Sequence, residues 1–412
     1  MGINLCTRIR LFRWLMAGTV ILGGCGGGKD TEATTDAFSA LQPSGLSDAG
    51  GGRGRLRLWS GDAGHPDSPP TAGNAGMTAH GGIEVDTSSI PAAQPGTDQV
   101  LLTQTQNIPP PHGDPDGFED GAFRTVCNWT HMSFDDPIVY PGQPGAAHHH
   151  TFFGNTAIDA FTTAANIRTK GRASCRGGTV NLSGYWVPSM IDTVSHKPQI
   201  PQSLLVYYKT GFQTSFGDHA TNLVQPMPTG LRMIAGNPNG TSVNPEAQFE
   251  CYTAGPGGWA VSLIEGTSGS TIPTCPAGTL LRMGISFRQC WDGKNLDSPD
   301  HQSHLSNFVY WPESPDPRRL SRCPLTHPVV LPRVGFTVAF LVPAGTDTRK
   351  WRLASDKYDP TLPGGYSMHA DWMNGWEPEI AQLWGVKCMQ DRRDCGSFNL
   401  GDGRTGNGFQ GN

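Results

Sequence analysis

Residues 287–304 of this chain gather one cysteine, three aspartates, two histidines, a tryptophan, a lysine and an arginine within eighteen positions. Few apolar residues interrupt the stretch, so it reads as a polar loop held between two apolar runs, 279–287 and 305–311. Such loops are where binding and catalytic groups are commonly mounted. His301 and His304 stand three apart and share a face if the loop makes a helical turn. Asp297 and Asp300 can orient these imidazoles, as carboxylates do behind metal ligands. A long surface loop closed by a disulfide at Cys290 is the plainer alternative.

Two more segments carry similar chemistry. Ala147 is followed by His148, His149 and His150. In an extended chain His148 and His150 face one way and His149 the other, so two imidazoles can share a metal or clamp an anion. The alternative is that they merely line a polar edge. His369 and Asp371 repeat the two-residue spacing, flanked by Trp372 and Trp376, whose ring faces can stack on sugars. The combined candidate site is His148, His150, Asp297, His301, His304, His369 and Asp371, acting as general acids or bases. His148, His150, His304 and His369 would be the ligands if a divalent metal is its cofactor. Trp291, Lys294, Trp372 and Trp376 would contact substrate.

These groups need a scaffold. Short β-branched or aromatic runs recur at 184–187, 203–209, 231–235, 280–287, 306–311 and 334–342, each bounded by Gly, Pro or Asn. The long connections between them show little helical periodicity, which argues against βαβ units. The expected fold is mainly β: an antiparallel sandwich or jelly-roll-like single large domain with long loops and few short helices. One helix is expected over 376–384, with Pro378 early and Gly385 past its last turn. Ile380, Leu383 and Trp384 would form its buried face.

Arg8, Arg10 and Arg13 precede a short apolar run, and then Gly23, Gly24 and Cys25. That order is an export signal too short to span a bilayer. The cysteine resembles a bacterial lipobox, which implies cleavage after residue 24 and lipidation of Cys25. Gly26 does not match an inner-membrane retention signal, so the outer membrane or cell surface is expected, with the lipid as the only membrane contact. Residues 25–117 are rich in Gly, Ala, Ser, Thr and Pro and read as a disordered tether. The folded domain is expected over 118–398 and a disordered tail over 399–412. His65, His80 and His112 lie isolated in the tether and receive no role.

Of ten cysteines, eight fall in the folded region: Cys127, Cys175, Cys251, Cys275, Cys290, Cys323, Cys388 and Cys395. An even count in an exported chain points to disulfides. Pairing sequence neighbours, 127–175, 251–275, 290–323 and 388–395, is the simplest of the open connectivities. The absence of any CxxC pair leaves a zinc ribbon or thioredoxin-type site unsupported. A net charge of −5 without lysine- or arginine-rich runs makes nucleic acid an unexpected partner. The nucleophile elbow Gly-x-Ser-x-Gly, the Walker loop, the dinucleotide fingerprint and His-Glu-x-x-His are all missing. No glutamate follows His150 closely enough for a cupin-like site.

Seven segments together resemble a secreted family of unknown function, common in fungi and also present in bacteria. They are Asp136–Gly142, His148–Gly154, Ser183–Pro188, Gly230–Gly236, Cys290–His304, Cys323–Pro328 and His369–Trp376, in that order. Some fungal members carry cellulose- or wall-binding modules, so the resemblance implies work on polysaccharide or cell wall. It supplies no catalytic residues. Two functions follow as expectations: an exported polysaccharide-active hydrolase or lyase, or a non-catalytic carbohydrate-binding protein. Converging ionisable groups favour the first, and aromatics on an open face would favour the second.

Overall fold

Two sheets share the principal core of the protein. Its computed structural model describes residues 83–111, 121–210, 224–255, 260–310, 312–313, 321–357, 359 and 361–408. All of these fall within one compact unit, Phe38–Asn412.

The larger sheet has seven strands in the order Ala260–Leu263, Ala247–Ala254, Thr279–Ser286, Arg333–Leu341, Ser203–Lys209, Ala122–Cys127 and Asp394–Ser397. Every pairing in it is antiparallel except the last. Ser203–Lys209 shows why these residues make strands: Leu204, Val206 and Tyr208 are buried and their neighbours are not, the period of a one-faced strand.

The smaller sheet has five antiparallel strands: Trp129–Ser133, His150–Gly154, Gly184–Pro188, His369–Met373 and Arg232–Gly236. Its inner face, with Phe153, Tyr185, Trp372 and Met233, joins the core of the larger sheet. Tyr185 packs edge-on against Phe336 at 5.6 Å, and Tyr208 meets Trp372 at 6.3 Å. The tyrosine hydroxyls at this contact are bonded: Trp376 Nε1 donates to the Tyr208 hydroxyl at 3.0 Å, and the Tyr185 and Tyr208 hydroxyls bond at 3.1 Å. The outer face carries a second cluster of Ile138, Phe152, Ile158, Ile167, Trp186, Ile234 and Met373. The larger sheet covers the inner face and loop residues such as Ile138, Ile158 and Ile167 cover the outer one, so the central strands lack a solvated side.

The expected mainly β sandwich is what the chain forms, and strands stand at five of the six runs read from the sequence; the run 306–311 instead gives only Leu305–Ser306 and Val309–Tyr310, in two separate small sheets. Helix Pro378–Trp384 is present, and it buries Ile380, Ala381 and Trp384. Gly385 does not stop the chain's coiling. Its φ of −59° is right-handed, and a wider turn continues through Gly385–Gln390 to deliver Cys388 to Cys395. All four disulfides join sequence neighbours: Cys127–Cys175, Cys251–Cys275, Cys290–Cys323 and Cys388–Cys395.

The domain limits differ from expectation at both ends. Within the expected tether, Ile83 and Val85 are buried against Ile191 and Ala354, and Leu102–Gln104 pairs with Arg404–Gly406 from the expected tail. Main-chain bonds such as Leu101 N to Gly177 O (2.9 Å) and Asn407 N to Leu101 O (2.8 Å) order segments whose side chains look too polar to fold. The export signal, Cys25, His65, His80 and His112 lie outside the described residues. Among the described residues, no helix is long and apolar enough to cross a membrane.

Candidate functional site

His150 and His369 each open a strand of the five-stranded sheet, with Gly184–Pro188 lying between the two strands. Strand alternation puts Phe152 on the face of His150, and Asp371 on the face of His369. Phe152 and Asp371 both pair with Trp186, and Asp371 also pairs with Ile234. His150, His369 and Asp371 therefore share the outer face. His148, just before its strand, completes the group. Its ring lies 4.3 Å from that of His150 and 4.8 Å from that of His369, centroid to centroid.

Hydrogen bonds fix two of these rings. His150 Nδ1 lies 2.9 Å from the Asp135 carbonyl oxygen, and His369 Nδ1 lies 2.8 Å from that of Ser367. A carbonyl can only accept, so each Nδ1 carries the proton and each Nε2 presents a lone pair while the ring is neutral. Metal-ligating histidines are held in this way, the far nitrogen tied to a backbone carbonyl. Ser367 is itself braced by the buried Asp356. That carboxylate accepts from the Leu353, Gly365 and Ser367 amides at 2.9, 2.8 and 3.0 Å and from Ser367 Oγ at 2.7 Å.

The pocket is rich in acceptors and poor in donors. His148 Nε2 and His369 Nε2 are 3.0 Å apart, and His369 Nε2 is 3.8 Å from Asp371 Oδ2. His150 Nε2 and both Asp371 oxygens are buried without a hydrogen-bond partner. Asp136 Oδ1 accepts the Ile138 and Val139 amides at 2.8 and 2.9 Å. Ligand atoms of His148, His150 and His369 lie within 4.8 Å of one another, as do those of Asp136, His150 and Asp371. The lone pair of His150 Nε2 can serve one cation, so both groupings belong to one centre. Two nitrogens bound tetrahedrally to zinc at about 2.0–2.1 Å would stand about 3.3 Å apart, close to the observed spacing.

Without a cation, burial works against every charge here. It holds His369 down to about 4, against the pull of the Ser367 carbonyl. Burial, and then His369, keep His150 well below its ordinary value. Asp371 is pushed well above the usual carboxylate range by burial and then by Asp136. Burial raises Asp136 to about 6, although the Val139 and Ile138 amides oppose it. Neutral imidazoles beside carboxylates that lack a counter-charge are the state a divalent ion would stabilise.

The loop at 290–304 docks on the edge strand Arg232–Gly236. Arg232 N donates to Leu296 O at 2.9 Å, and Gln302 Nε2 donates to Gly236 O at 3.3 Å. His304 is buried there, with Nε2 on Arg232 O at 2.7 Å and Nδ1 on Ser298 Oγ at 2.9 Å. With both nitrogens engaged, His304 does not join the other three histidines. Asp297 does orient His301, whose Nδ1 lies 3.0 Å from Oδ1, and Asp297 also pairs with Arg232 at 3.1 Å. Asp300 instead braces the loop through Ser298 Oγ and the Gln302 and Ser303 amides.

The tryptophans depart furthest from expectation. Trp372 and Trp376 are 0% and 1% exposed in the inter-sheet core, because alternation from Asp371 turns Trp372 inward. Neither can stack on a sugar. Trp291 is half-buried, with its indole N–H on Asn295 O at 2.6 Å, and Lys294 is exposed. His149 turns away as expected, to Ser189 Oγ at 2.9 Å. Sequence reasoning missed Asp136, Ser367 and Asp356. Asp136 stood beside the histidine stretch, but nothing local showed that it would fold back beneath it.

The chain belongs to the family described as Domain of unknown function (DUF1996), whose profile matches residues 136–376, more than half of its length. Neither a curated protein nor a solved structure matches it. The matched span begins at Asp136 and ends at Trp376, so it contains every residue of the centre.

Proposed function

We propose that this protein is an exported, lipid-anchored enzyme acting on extracellular polysaccharide or cell wall through a divalent metal held by His148, His150 and His369. The observation that carries this reading is the meeting of three imidazoles beside the buried, unpartnered carboxylate of Asp371. Imidazole and carboxylate donors suit first-row divalent ions. Three histidine ligands with the partly exposed His148 on one side match the open arrangement of catalytic rather than structural zinc. A bound ion would supply Lewis acidity and a more acidic water. The residues themselves orient the ligand set: the Asp135 and Ser367 carbonyls hold two rings, and Asp136 and Asp371 balance charge.

Export is supported by the four disulfides and the N-terminal pattern ending at Cys25. The glycan substrate rests on the family resemblance and its wall-binding members. Burial of Trp372 and Trp376 weighs against a purely carbohydrate-binding role. The test is a polysaccharide panel incubated with the metal-supplemented full chain, with detection of reducing ends, unsaturated ends and released substituents. The reading expects a product that a chelator suppresses. A panel without any product removes the enzymatic role.

A further inference from the structure

Most enzymes that hydrolyse a glycosidic bond use two carboxylates, one on each side of it, separated by about 5–5.5 Å or by about 6.5–9.5 Å. Asp136 and Asp371 cannot occupy those places. They are 3% and 1% exposed, and their ligand atoms lie within 4.8 Å of each other and of His150. No sugar fits between them.

A different proton carrier stands at the rim. His301 Nδ1 lies 3.0 and 3.2 Å from the two oxygens of Asp297, and Asp297 is held by Arg232 Nη1 at 3.1 Å and by the Ser298 amide at 2.9 Å. A carboxylate can only accept, so Nδ1 carries the proton and Nε2 offers its lone pair. His301 Nε2 makes no hydrogen bond with the described residues, and the side chain is 24% exposed. Its backbone is left-handed, with φ 56°, a conformation costly for a residue with a Cβ and frequent at functional sites. The next residue, Gln302, bonds to Gly236 O, and Gly236 pairs directly with His369.

We infer that the bond broken is an acyl ester or amide substituent of the glycan, and that His301, oriented by Asp297, is the general base and acid. This rests on the polysaccharide reading above. A single imidazole can act first as base and then as acid only where an intermediate persists between the two transfers, and a tetrahedral acyl intermediate does. A water O–H bond breaks, its proton goes to His301 Nε2, and the oxygen bonds to the acyl carbon. The carbon–oxygen or carbon–nitrogen bond to the sugar then breaks, and the leaving atom takes the proton from Nε2. The products are a carboxylic acid and a free sugar hydroxyl or amine.

The test uses the full chain in detergent with acetylated xylan and acetylated chitin oligomers, measuring acetate and reducing ends separately. Acetate without new reducing ends is expected. His301→Gln should lower kcat about 10²–10⁴-fold with metal content unchanged. Asp297→Asn, which keeps the side-chain shape, should lower kcat more than it changes KM and shift the acid limb of the pH profile. It also serves as the second variant if His301→Gln fails to fold. Reducing ends without acetate would overturn the acyl inference while leaving the polysaccharide reading intact. Full activity in both variants would overturn the role of His301, and no product of either kind would remove both readings.

Discussion

Asp136→Asn offers a quantitative probe of the buried carboxylates. Burial raises Asp136 from 3.8 to about 6 in the folded protein. The carboxyl therefore contributes fully to stability below pH 3.8, and that contribution is lost as pH rises through 6. At about 1.4 kcal/mol for each tenfold change in proton affinity, that rise puts the cost of the ionised group near 3 kcal/mol at pH 7. Asparagine keeps an Oδ1 to accept the Ile138 and Val139 amides but never ionises. The metal-free variant should thus be up to about 3 kcal/mol more stable than the parent at pH 7, and no more stable at pH 3.5. Urea denaturation in chelator at both pH values measures this directly. At roughly 2–4 °C per kcal/mol, the same gain appears as a melting shift of up to about 6–12 °C. With saturating metal the advantage should shrink, because a cation offsets the charge in the parent. An asparagine variant equally destabilised at both pH values would refute the reasoning and leave Asp136 a turn-forming residue only.

Three further outcomes follow from the same geometry. Excess divalent metal at about 100 times its Kd should stabilise the parent by about 2.7 kcal/mol, and His369→Ala should lose that increment in melting experiments. The burial that holds His149 near 4 keeps it neutral in the folded state, so its contribution disappears as pH falls from 6.5 toward 4. His149→Phe should flatten acid unfolding by up to about 3 kcal/mol, read from urea midpoints between pH 7 and 4. Cys25→Ser should abolish lipid labelling and release the protein from membranes, and continued partition into detergent would point to another anchor.

Local spacing made part of the site legible. The i, i+2 relations of His148 with His150 and of His369 with Asp371 survive because both pairs lie on extended chain, where side chains alternate by geometry alone. Neighbour pairing of the cysteines, the simplest connectivity, is the one the chain forms, over separations from 7 to 48 residues. What failed depended on partners distant in sequence. Trp372 looked like a sugar platform until the seven-stranded sheet covered its face. His304 looked like a ligand until the edge strand at Arg232 took one of its nitrogens and the neighbouring Ser298 the other. Asp136 belongs to the centre only because the segment after Trp129–Ser133 folds over the outer face. Leu102–Gln104 and Arg404–Gly406 order each other through backbone bonds, which composition does not register.

The central claim is that His148, His150 and His369 hold a divalent ion. Elemental analysis of the full chain, purified without chelator and beside a His150→Ala/His369→Ala variant, tests it most directly. About one equivalent of a first-row divalent metal per parent chain, and none in the folded variant, is expected. Equal metal in both proteins, or none in the parent even after incubation with excess zinc, manganese or copper, would contradict it.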